Sequence, residues 1–392
     1  MTYQQLKQDE SQYVMNTYGR FNIAFDHGQG SRLWDVDGKT YIDLTSSIGV
    51  NCVGYNNEKV VAAITEQAHK LMHISNLFTT APMVQVAKTL VQSTGMGKVF
   101  FSNSGAESNE GAIKLARKYS FDKYGEGRSK IITLLNSFHG RTITTLHATG
   151  QSRFHNYFFP FTEGFDYAEA GNLADLKAKA DDTTCAVLLE LIQGEGGVLP
   201  LEKEFVQQVE AFCRERDLLL MIDEVQTGIG RTGSLFCFQQ YSIHPDVVTM
   251  AKGLGGGLPI GAVMAAKTCC DVLGPGTHAT TFGGTPTVCA AANAVLDIVN
   301  QPDFLSEVVK KGEYLKNGIL AIGSDKVQGV RGSGLMLGII VDADARAALI
   351  SQCMENGLLV LTAGTQAIRL LPPLTITYEE LDEALAIFRK VL

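Results

Sequence analysis

The chain has 392 residues, a formal net charge of −8, 45% hydrophobic residues and 19% charged residues. This composition predicts a globular protein with a large core, and the absence of a long basic block argues against nucleic acid or an anionic membrane as a partner. Eight cysteines without Cys-x-x-Cys spacing, and an N-terminus without an apolar signal core, predict reduced core thiols and a cytoplasmic location.

The first part of the chain predicts a small antiparallel unit and an amphipathic helix. Residues 1–20 are expected to form a loosely packed arm, and Asp37-Gly38 between two short apolar segments is typical of a hairpin turn. Apolar residues at helical spacing indicate a helix from Glu58 to Leu71. His69 and His73 have i, i+4 spacing but lack the glutamate of the zinc-protease motif, so we predict no metal site.

From residue 98 onward, short apolar strands alternate with helices. The predicted strands are 99–102, 131–135, 186–191, 218–222 and 247–250. This alternation indicates right-handed crossovers and a mostly parallel sheet covered by helices on both faces. A long apolar helix after residue 284 leads into a segment of different character. We therefore predict a large domain of residues 50–290 and a smaller α+β domain of residues 1–49 together with 291–392.

Two of these strands end in a charged residue. The run 218–222 ends at Asp223, and the run 247–251 ends at Lys252, with glycine-rich loops after both. Ligands of such sheets lie at the carboxyl ends of the strands. A lysine desolvated there becomes a nucleophilic amine, and a lysine with an aspartate is the pairing that pyridoxal phosphate uses. Taken alone, the two residues also fit a snorkelling cation and a turn cap.

Further polar residues follow other strands of the same sheet. Ser104 and Gly105 at a helix start offer unpaired N–H groups to an anion, although simple N-capping explains them equally well. Phe138 and Arg141 offer an aromatic face and a guanidinium after the next strand. Glu195 lies in a run of glycines, which by itself indicates only a tight turn.

In their order along the chain, these segments resemble one family, the class III, fold-type I, pyridoxal-phosphate-dependent aminotransferases. The resemblance covers nearly the whole chain and depends on several motifs taken together. They are Tyr18-Gly-Arg-Phe-Asn-Ile-Ala, Leu33-Trp-Asp-Val-Asp-Gly, Ser104-Gly-Ala-Glu, Phe138-His-Gly-Arg, Gln193-Gly-Glu-Gly-Gly, Asp223-Glu-Val-Gln-Thr-Gly-Ile-Gly-Arg-Thr-Gly and Lys252-Gly-Leu-Gly-Gly-Gly-Leu-Pro-Ile-Gly. The resemblance implies a large, mostly parallel, seven-stranded type of sheet. It also implies a transaminase with pyridoxal 5'-phosphate as cofactor.

The resemblance assigns a role to each site residue. Lys252 would form the Schiff base, and Asp223 would pair with the pyridinium nitrogen. The residues implied to bind the cofactor are Ser104, Gly105, Ala106, Phe138, Asp223, Glu224, Val225, Gln226, Lys252 and Thr281. Thr281 would reach the phosphate in the neighbouring subunit, which implies a homodimer with shared active sites.

The substrate contacts are also implied by resemblance. Arg369 would bind the α-carboxylate of glutamate and Arg141 the distal carboxylate. Glu195 would pair with Arg369 when the ω-amino substrate is bound, whereas Tyr18 and Thr280 would lie near the substrate. The implied reaction moves the terminal amine of N2-acetyl-L-ornithine to 2-oxoglutarate, a step of arginine biosynthesis.

Other functions remain open at the level of sequence. Class III enzymes acting on ornithine, 4-aminobutyrate or succinyl-diaminopimelate share most of these residues. Glutamate-1-semialdehyde aminomutase shares the fold and the lysine, but it would catalyse an isomerisation without an added oxo acid. A regulatory domain that only binds pyridoxal phosphate is a further alternative, although no DNA-binding extension is present.

Overall fold

The computed structural model describes residues 1–392, which form four β-sheets surrounded by helices. The strands are β1 Phe25–Gln29, β2 Arg32–Asp35, β3 Thr40–Asp43, β4 Lys98–Ser102, β5 Lys130–Leu134, β6 Phe165–Ala168, β7 Thr184–Leu189, β8 Ile192–Gln193, β9 Leu199–Pro200, β10 Leu219–Asp223, β11 Val247–Met250, β12 Gly261–Ala265, β13 Val327–Ser333, β14 Met336–Val341, β15 Leu358–Leu359, β16 Leu361–Ala363 and β17 Ala367–Leu370. The helices are α1 Tyr3–Tyr13, α2 Ser46–Gly49, α3 Glu58–Lys70, α4 Ala81–Thr94, α5 Gly105–Tyr124, α6 Ile143–Ala148, α7 Leu173–Lys179, α8 Lys203–Arg216, α9 Phe238–Tyr241, α10 Pro286–Val299, α11 Pro302–Leu320, α12 Ala343–Glu355 and α13 Tyr378–Val391. Ser152–Phe154 and Lys252–Gly255 are short 3₁₀ helices.

The largest sheet has seven strands in the order β4-β12-β11-β10-β7-β5-β6. The neighbours from β11 to β6 pair in parallel, whereas β12 pairs antiparallel with both β11 and β4. Every residue of β7, β10, β11 and β12 is buried, as expected for strands covered by helices on both faces. The predicted α/β class with a mostly parallel sheet is confirmed. The sequence did not predict β12.

The carboxyl ends of the parallel strands bring the charged motifs together. In the parallel pair β10 and β11, Asp223 lies opposite Thr249, and Lys252 follows three residues later. The chain also leaves β4 at this edge and enters α5 directly after it. The sheet therefore places segments far apart in sequence around one site.

Two further sheets have four strands, in the orders β1-β2-β3-β15 and β13-β14-β17-β16, and β8 pairs with β9 in a two-stranded sheet. The predicted hairpin at Asp37-Gly38 is confirmed, because β2 pairs antiparallel with β3. The short strand β15 pairs in parallel with β3, so the N-terminal hairpin shares a sheet with the C-terminal segment. The division into two domains at residues 50 and 290 stays a prediction.

The N-terminal arm differs from expectation. It contains α1, which begins with a capping box formed by Thr2 and Gln5 and buries none of its side chains. Helix α6 begins at Ile143, where Thr142 forms its N-terminal cap. No helix in the structure is both long enough and apolar enough to cross a membrane.

Arg231 is a fully buried arginine that connects the loop after β10 to both smaller sheets. Its Nη1 donates to the carbonyls of Leu335 (3.0 Å) and Pro372 (2.5 Å), and its Nη2 donates to Ser46 Oγ at 3.4 Å. Burial lowers the pKa of Arg231 to about 10, which leaves the guanidinium charged at neutral pH. The backbone carbonyl oxygens therefore stabilise the buried guanidinium, as water or a carboxylate would do elsewhere.

Replacing Arg231 should destabilise the protein. Arg231→Met leaves two buried carbonyls without donors, so we expect the free energy of unfolding to fall by roughly 2–5 kcal/mol. The measurement is urea unfolding followed by circular dichroism. Arg216→Ala, which removes an exposed partner of Asp182, should leave the transition almost unchanged. Equal midpoints for the two variants would contradict the role of Arg231.

Candidate active site

A cavity of about 460 Å³ lies at the carboxyl edge of the large sheet. Its lining includes ten of the residues predicted from sequence. They are Ser104, Gly105, Ala106, Phe138, Arg141, Glu195, Asp223, Val225, Gln226 and Lys252. The structure therefore brings together most of the predicted site, and Arg369 contacts two of these residues.

Asp223 is a buried carboxylate with every oxygen hydrogen-bonded. Its Oδ2 accepts from Asn109 Nδ2 and from His139 Nδ1, both at 2.8 Å, and its Oδ1 accepts from the backbone N–H of Val225 at 3.0 Å. Asn109 is itself fixed, because its Oδ1 accepts from Thr249 Oγ1 at 2.7 Å. The carboxylate is thereby held rigidly at the wall of the cavity.

Lys252 lies in the left-handed region of the backbone, with φ of 40°, at the start of a 3₁₀ turn. Burial lowers the pKa of Lys252, and the nearby Arg369 cation lowers it further. The acidic groups Glu195, Asp223 and Glu190 partly oppose this effect. A lowered pKa increases the fraction of uncharged, nucleophilic amine at neutral pH.

The start of α5 forms a cradle for an anion. Ser104 Oγ caps the helix by accepting from Glu107 N at 3.2 Å, which leaves the N–H groups of Gly105 and Ala106 without a helical partner. A Cβ atom on Gly105 would lie only 2.7 Å from Val225 Cγ1. Glycine is thus required here for the helix start and Val225 to approach each other.

Arg369 and Glu195 form an ion pair at the cavity. Arg369 Nη1 donates to Glu195 Oε1 at 2.5 Å and to Gln226 Oε1 at 3.2 Å, and Arg369 is 3% exposed. Its Nε is buried and has no hydrogen-bond partner. Arg369 therefore keeps a free donor beside the groups that it already contacts.

Besides Arg369, four predicted residues do not line the cavity. The Glu224 carboxylate accepts from Thr227 Oγ1 (2.6 Å) and Phe238 N (2.7 Å), so it stabilises its own loop. Tyr18 is 69% exposed. Thr280 accepts from Asn103 Nδ2 at 3.1 Å, close to the α5 cradle, and the adjacent Thr281 is exposed. The roles given to these four residues stay predictions.

Three cavity residues that form hydrogen bonds to Asp223 or to the neighbouring loops are among those that the sequence analysis missed. Asn109 and His139 donate to Asp223, and the two oxygens of Glu190 accept from Phe138 N (2.8 Å) and Gly194 N (3.3 Å). His139 lies in the motif Phe138-His-Gly-Arg, and Glu190 lies in the predicted strand 186–191. Only the folded chain shows which groups they contact. Asn109 follows Gly105 by four residues, so the two lie on the same face of α5. This spacing is the one feature of the sequence that could have indicated a role for Asn109 in the site.

The groups around the cavity fit pyridoxal phosphate. The cradle at Gly105 has the free N–H groups that a phosphate requires, and the amine of Lys252 has the lowered pKa that bonding to an aldehyde requires. Asp223 is an acceptor for a protonated ring nitrogen. Phe138 and Val225 supply the apolar surfaces that a flat ring needs.

Comparisons with known proteins agree with this geometry. The family model described as Aminotransferase class-III matches residues 13–392. A relative named acetylornithine aminotransferase, from Haemophilus ducreyi, is 50% identical, and the match covers 100% of this chain and 99% of that protein. The ornithine aminotransferase structure from Toxoplasma gondii ME49 has a TM-score of 0.95 at 31% identity, covering 100% and 95% of the two chains. The N-acetylornithine aminotransferase structure from Stenotrophomonas maltophilia K279a has a TM-score of 0.85 at 35% identity, covering 98% and 97%.

Adding a methyl group at Gly105 should weaken binding of a phosphate-bearing cofactor. The Cβ of Gly105→Ala would displace Val225 or the helix start, so we expect the affinity for pyridoxal phosphate to fall about tenfold or more. An absorbance titration of the apoprotein measures this affinity.

Gly274→Ala is the matched control, because a Cβ atom at Gly274 would meet nothing within 4 Å. Alanine also favours helix formation over glycine, so a weaker helix cannot explain a loss at Gly105. Unchanged affinity in Gly105→Ala would show that the cradle does not contact the ligand.

Proposed function

The chain belongs to the class III aminotransferases, and from this premise we propose that it transfers the terminal amino group of N2-acetyl-L-ornithine to 2-oxoglutarate. The products are N-acetyl-glutamate 5-semialdehyde and glutamate, formed in two half-reactions within arginine biosynthesis. The names of relatives at 40–50% identity support this choice of substrate.

The observation that carries the proposal is the ion pair of Arg369 with Glu195 beside Lys252. An ω-amino substrate has only hydrogens on the carbon that bears its reacting amine, whereas glutamate has a carboxylate there. A buried guanidinium facing only methylene groups is costly, so a carboxylate must neutralise it in the first case. Glu195 does so in the first case. In the second case, the substrate carboxylate would replace Glu195 as the partner of Arg369.

We infer that pyridoxal 5'-phosphate is held by the residues of the cavity. Ser104, Gly105 and Ala106 would bind the phosphate, Phe138 and Val225 would enclose the ring, and Gln226 is within the cavity to contact the ring hydroxyl. When bound, the cofactor supplies an aldehyde that takes up the amino group and a ring that accepts electrons from the adjacent carbon.

The protein's own groups then determine where the protons lie. Asp223, fixed by three hydrogen bonds, would keep a proton on the ring nitrogen and so favour electron withdrawal. Lys252 would anchor the cofactor and, once released as a free amine, would carry the proton between two carbons of the reacting system. Its lowered pKa favours the uncharged amine, which is the form that can accept a proton.

We infer a homodimer with shared active sites. Thr281 is exposed and outside the cavity of its own chain, as expected of a residue that completes a neighbouring site. Next to it lies an exposed apolar patch of Leu77 (87%), Phe78 (61%) and Phe282 (62%). Asn76 joins the two segments by donating to the carbonyls of Thr280 and Gly283, so the patch is continuous.

We also place the enzyme in the cytoplasm. All eight cysteines are free, and seven of them are buried. Thiols kept in this form are typical of proteins from reducing compartments.

Ornithine aminotransferase activity is the second candidate, because the Toxoplasma gondii structure of that name has a TM-score of 0.95. Ornithine and N-acetylornithine present the same terminal amine and differ at the acylated nitrogen. The ratio of kcat/KM for the two amines with 2-oxoglutarate decides between the candidates, and we expect it to favour N-acetylornithine.

Lys252→Ala should abolish transamination and retain the fold, because both the covalent anchor and the proton carrier are lost. Borohydride treatment of the parent protein should fix the cofactor on Lys252, as read by mass spectrometry of peptides. Lys267→Ala, which alters an exposed lysine, should keep full activity. Recovery of the reduced cofactor on any other lysine would refute the assignment.

Variants of Glu195 and Arg369 should affect opposite half-reactions. Glu195→Gln removes the charge that neutralises Arg369, so we expect the half-reaction with N-acetylornithine to slow by about tenfold while that with glutamate is spared or improved. Arg369→Lys loses two-point binding of a carboxylate and should slow the glutamate half-reaction most.

Single-turnover absorbance measurements on each half-reaction provide the readout, with Glu204→Gln on the exposed side of α8 as the control. Equal slowing of both half-reactions by Glu195→Gln would mean that Glu195 only maintains its loop.

A further inference from the structure

Arg141 lines the cavity and is fixed by aromatic rings. Its guanidinium carbon lies 4.0 Å from the ring centroid of Phe154 and 5.5 Å from that of Phe138. No carboxylate of the chain forms an ion pair with it, although Glu195 and Asp223 line the same cavity. The two rings are therefore what orients this exposed side chain.

Phe154 makes the shorter of the two contacts, and it lies outside the motifs that identify the family. It ends the 3₁₀ helix Ser152–Phe154 and packs edge-on against Phe138, with the ring centroids 5.9 Å apart and an interplanar angle of 78°. A second guanidinium, that of Arg153, lies 4.6 Å from the Phe154 centroid and donates to Gln151 Oε1. One half-buried ring thus contacts two cations.

Stacking has a specific effect on an arginine. The ring attracts the face of the guanidinium and leaves the N–H groups at its edge unpaired, so they remain available to a planar carboxylate. Restricting the side chain before a ligand arrives also reduces the entropy lost on binding. A ring in this position should therefore strengthen carboxylate binding without touching the carboxylate.

We propose that Phe154 is a positioning residue for substrate specificity, which holds Arg141 ready for the carboxylate at the far end of the substrate. The proposal rests on the proposed function, in which glutamate and N-acetylornithine both carry such a carboxylate. Phe154 does not line the cavity, so we expect it to act through Arg141 and not at the reacting end of the substrate, beside Lys252 and Arg369. Phe154 should therefore affect the binding of substrates that carry a distal carboxylate and leave the chemical step unchanged.

The test compares Phe154→Leu with the parent holoenzyme. We expect KM for glutamate and for N-acetylornithine to rise about three- to tenfold, with kcat changed less than twofold, because the lost contact is present before and during the reaction. The dissociation constant of glutarate, measured by calorimetry, should rise by the same factor. L-Alanine has no distal carboxylate, so its single-turnover kcat/KM should be the same in both proteins.

Two further variants make the result specific. Phe154→Tyr keeps the ring and should retain the parent KM values, and Arg153→Gln removes only the other cation on the ring and should do the same. A loss for alanine equal to the loss for glutamate would overturn the proposal, as would Phe154→Tyr behaving like Phe154→Leu. If the parent enzyme accepts glutamate but not N-acetylornithine, the proposed substrate is wrong, while the glutamate and glutarate measurements still decide the role of Phe154.

Discussion

The site depends on the burial of one carboxylate, Asp223, at the end of a central strand. A buried carboxylate is tolerated only when its oxygens are hydrogen-bonded. Asn109 from α5, His139 from the loop after β5 and the backbone of Val225 meet this requirement. Each donor belongs to a different segment that lines the cavity. The hydrogen bonds that Asp223 requires therefore also fix the relative positions of the start of α5, the loop of Phe138 and Val225.

Glu190 extends this network to the loops that contain Phe138 and Glu195. One of its oxygens accepts from the loop of Phe138 and the other from the loop of Glu195. Burial raises the pKa of Glu190, and the negative charge of Asp223 acts in the same direction, opposed by His139. The cavity concentrates acidic groups, and Lys252 and Arg369 are the cations that offset them. Each charged group at this site thus interacts with several charged neighbours. A single substitution here should therefore alter function beyond the contacts of the substituted residue.

The sequence predicted the parts of the site that depend on local patterns. Asp223 and Lys252 follow apolar runs that must be strands, and the helix start at Gly105 is visible from its capping residues. Asn109, Glu190 and Phe154 could not be assigned, because their roles depend on partners that only the fold brings close. The strand β12 was missed for a similar reason, since it runs opposite to its neighbours and does not follow the alternation of strands and helices.

The proposed exchange between Glu195 and a substrate carboxylate depends on how firmly the backbone of the Glu195 loop is held. The Glu195 carbonyl accepts from Gly364 N at 2.8 Å, and the next carbonyl but one, that of Gly197, accepts from both Nε and Nη2 of Arg331. The backbone is therefore held at Glu195 itself and two residues after it. We therefore expect Glu195 to leave Arg369 by rotation of its side chain, without movement of the backbone that Gly364 and Arg331 hold. Such a rotation would leave the cavity wall in place, so that one site would accept a substrate with a carboxylate beside the amine and one without it.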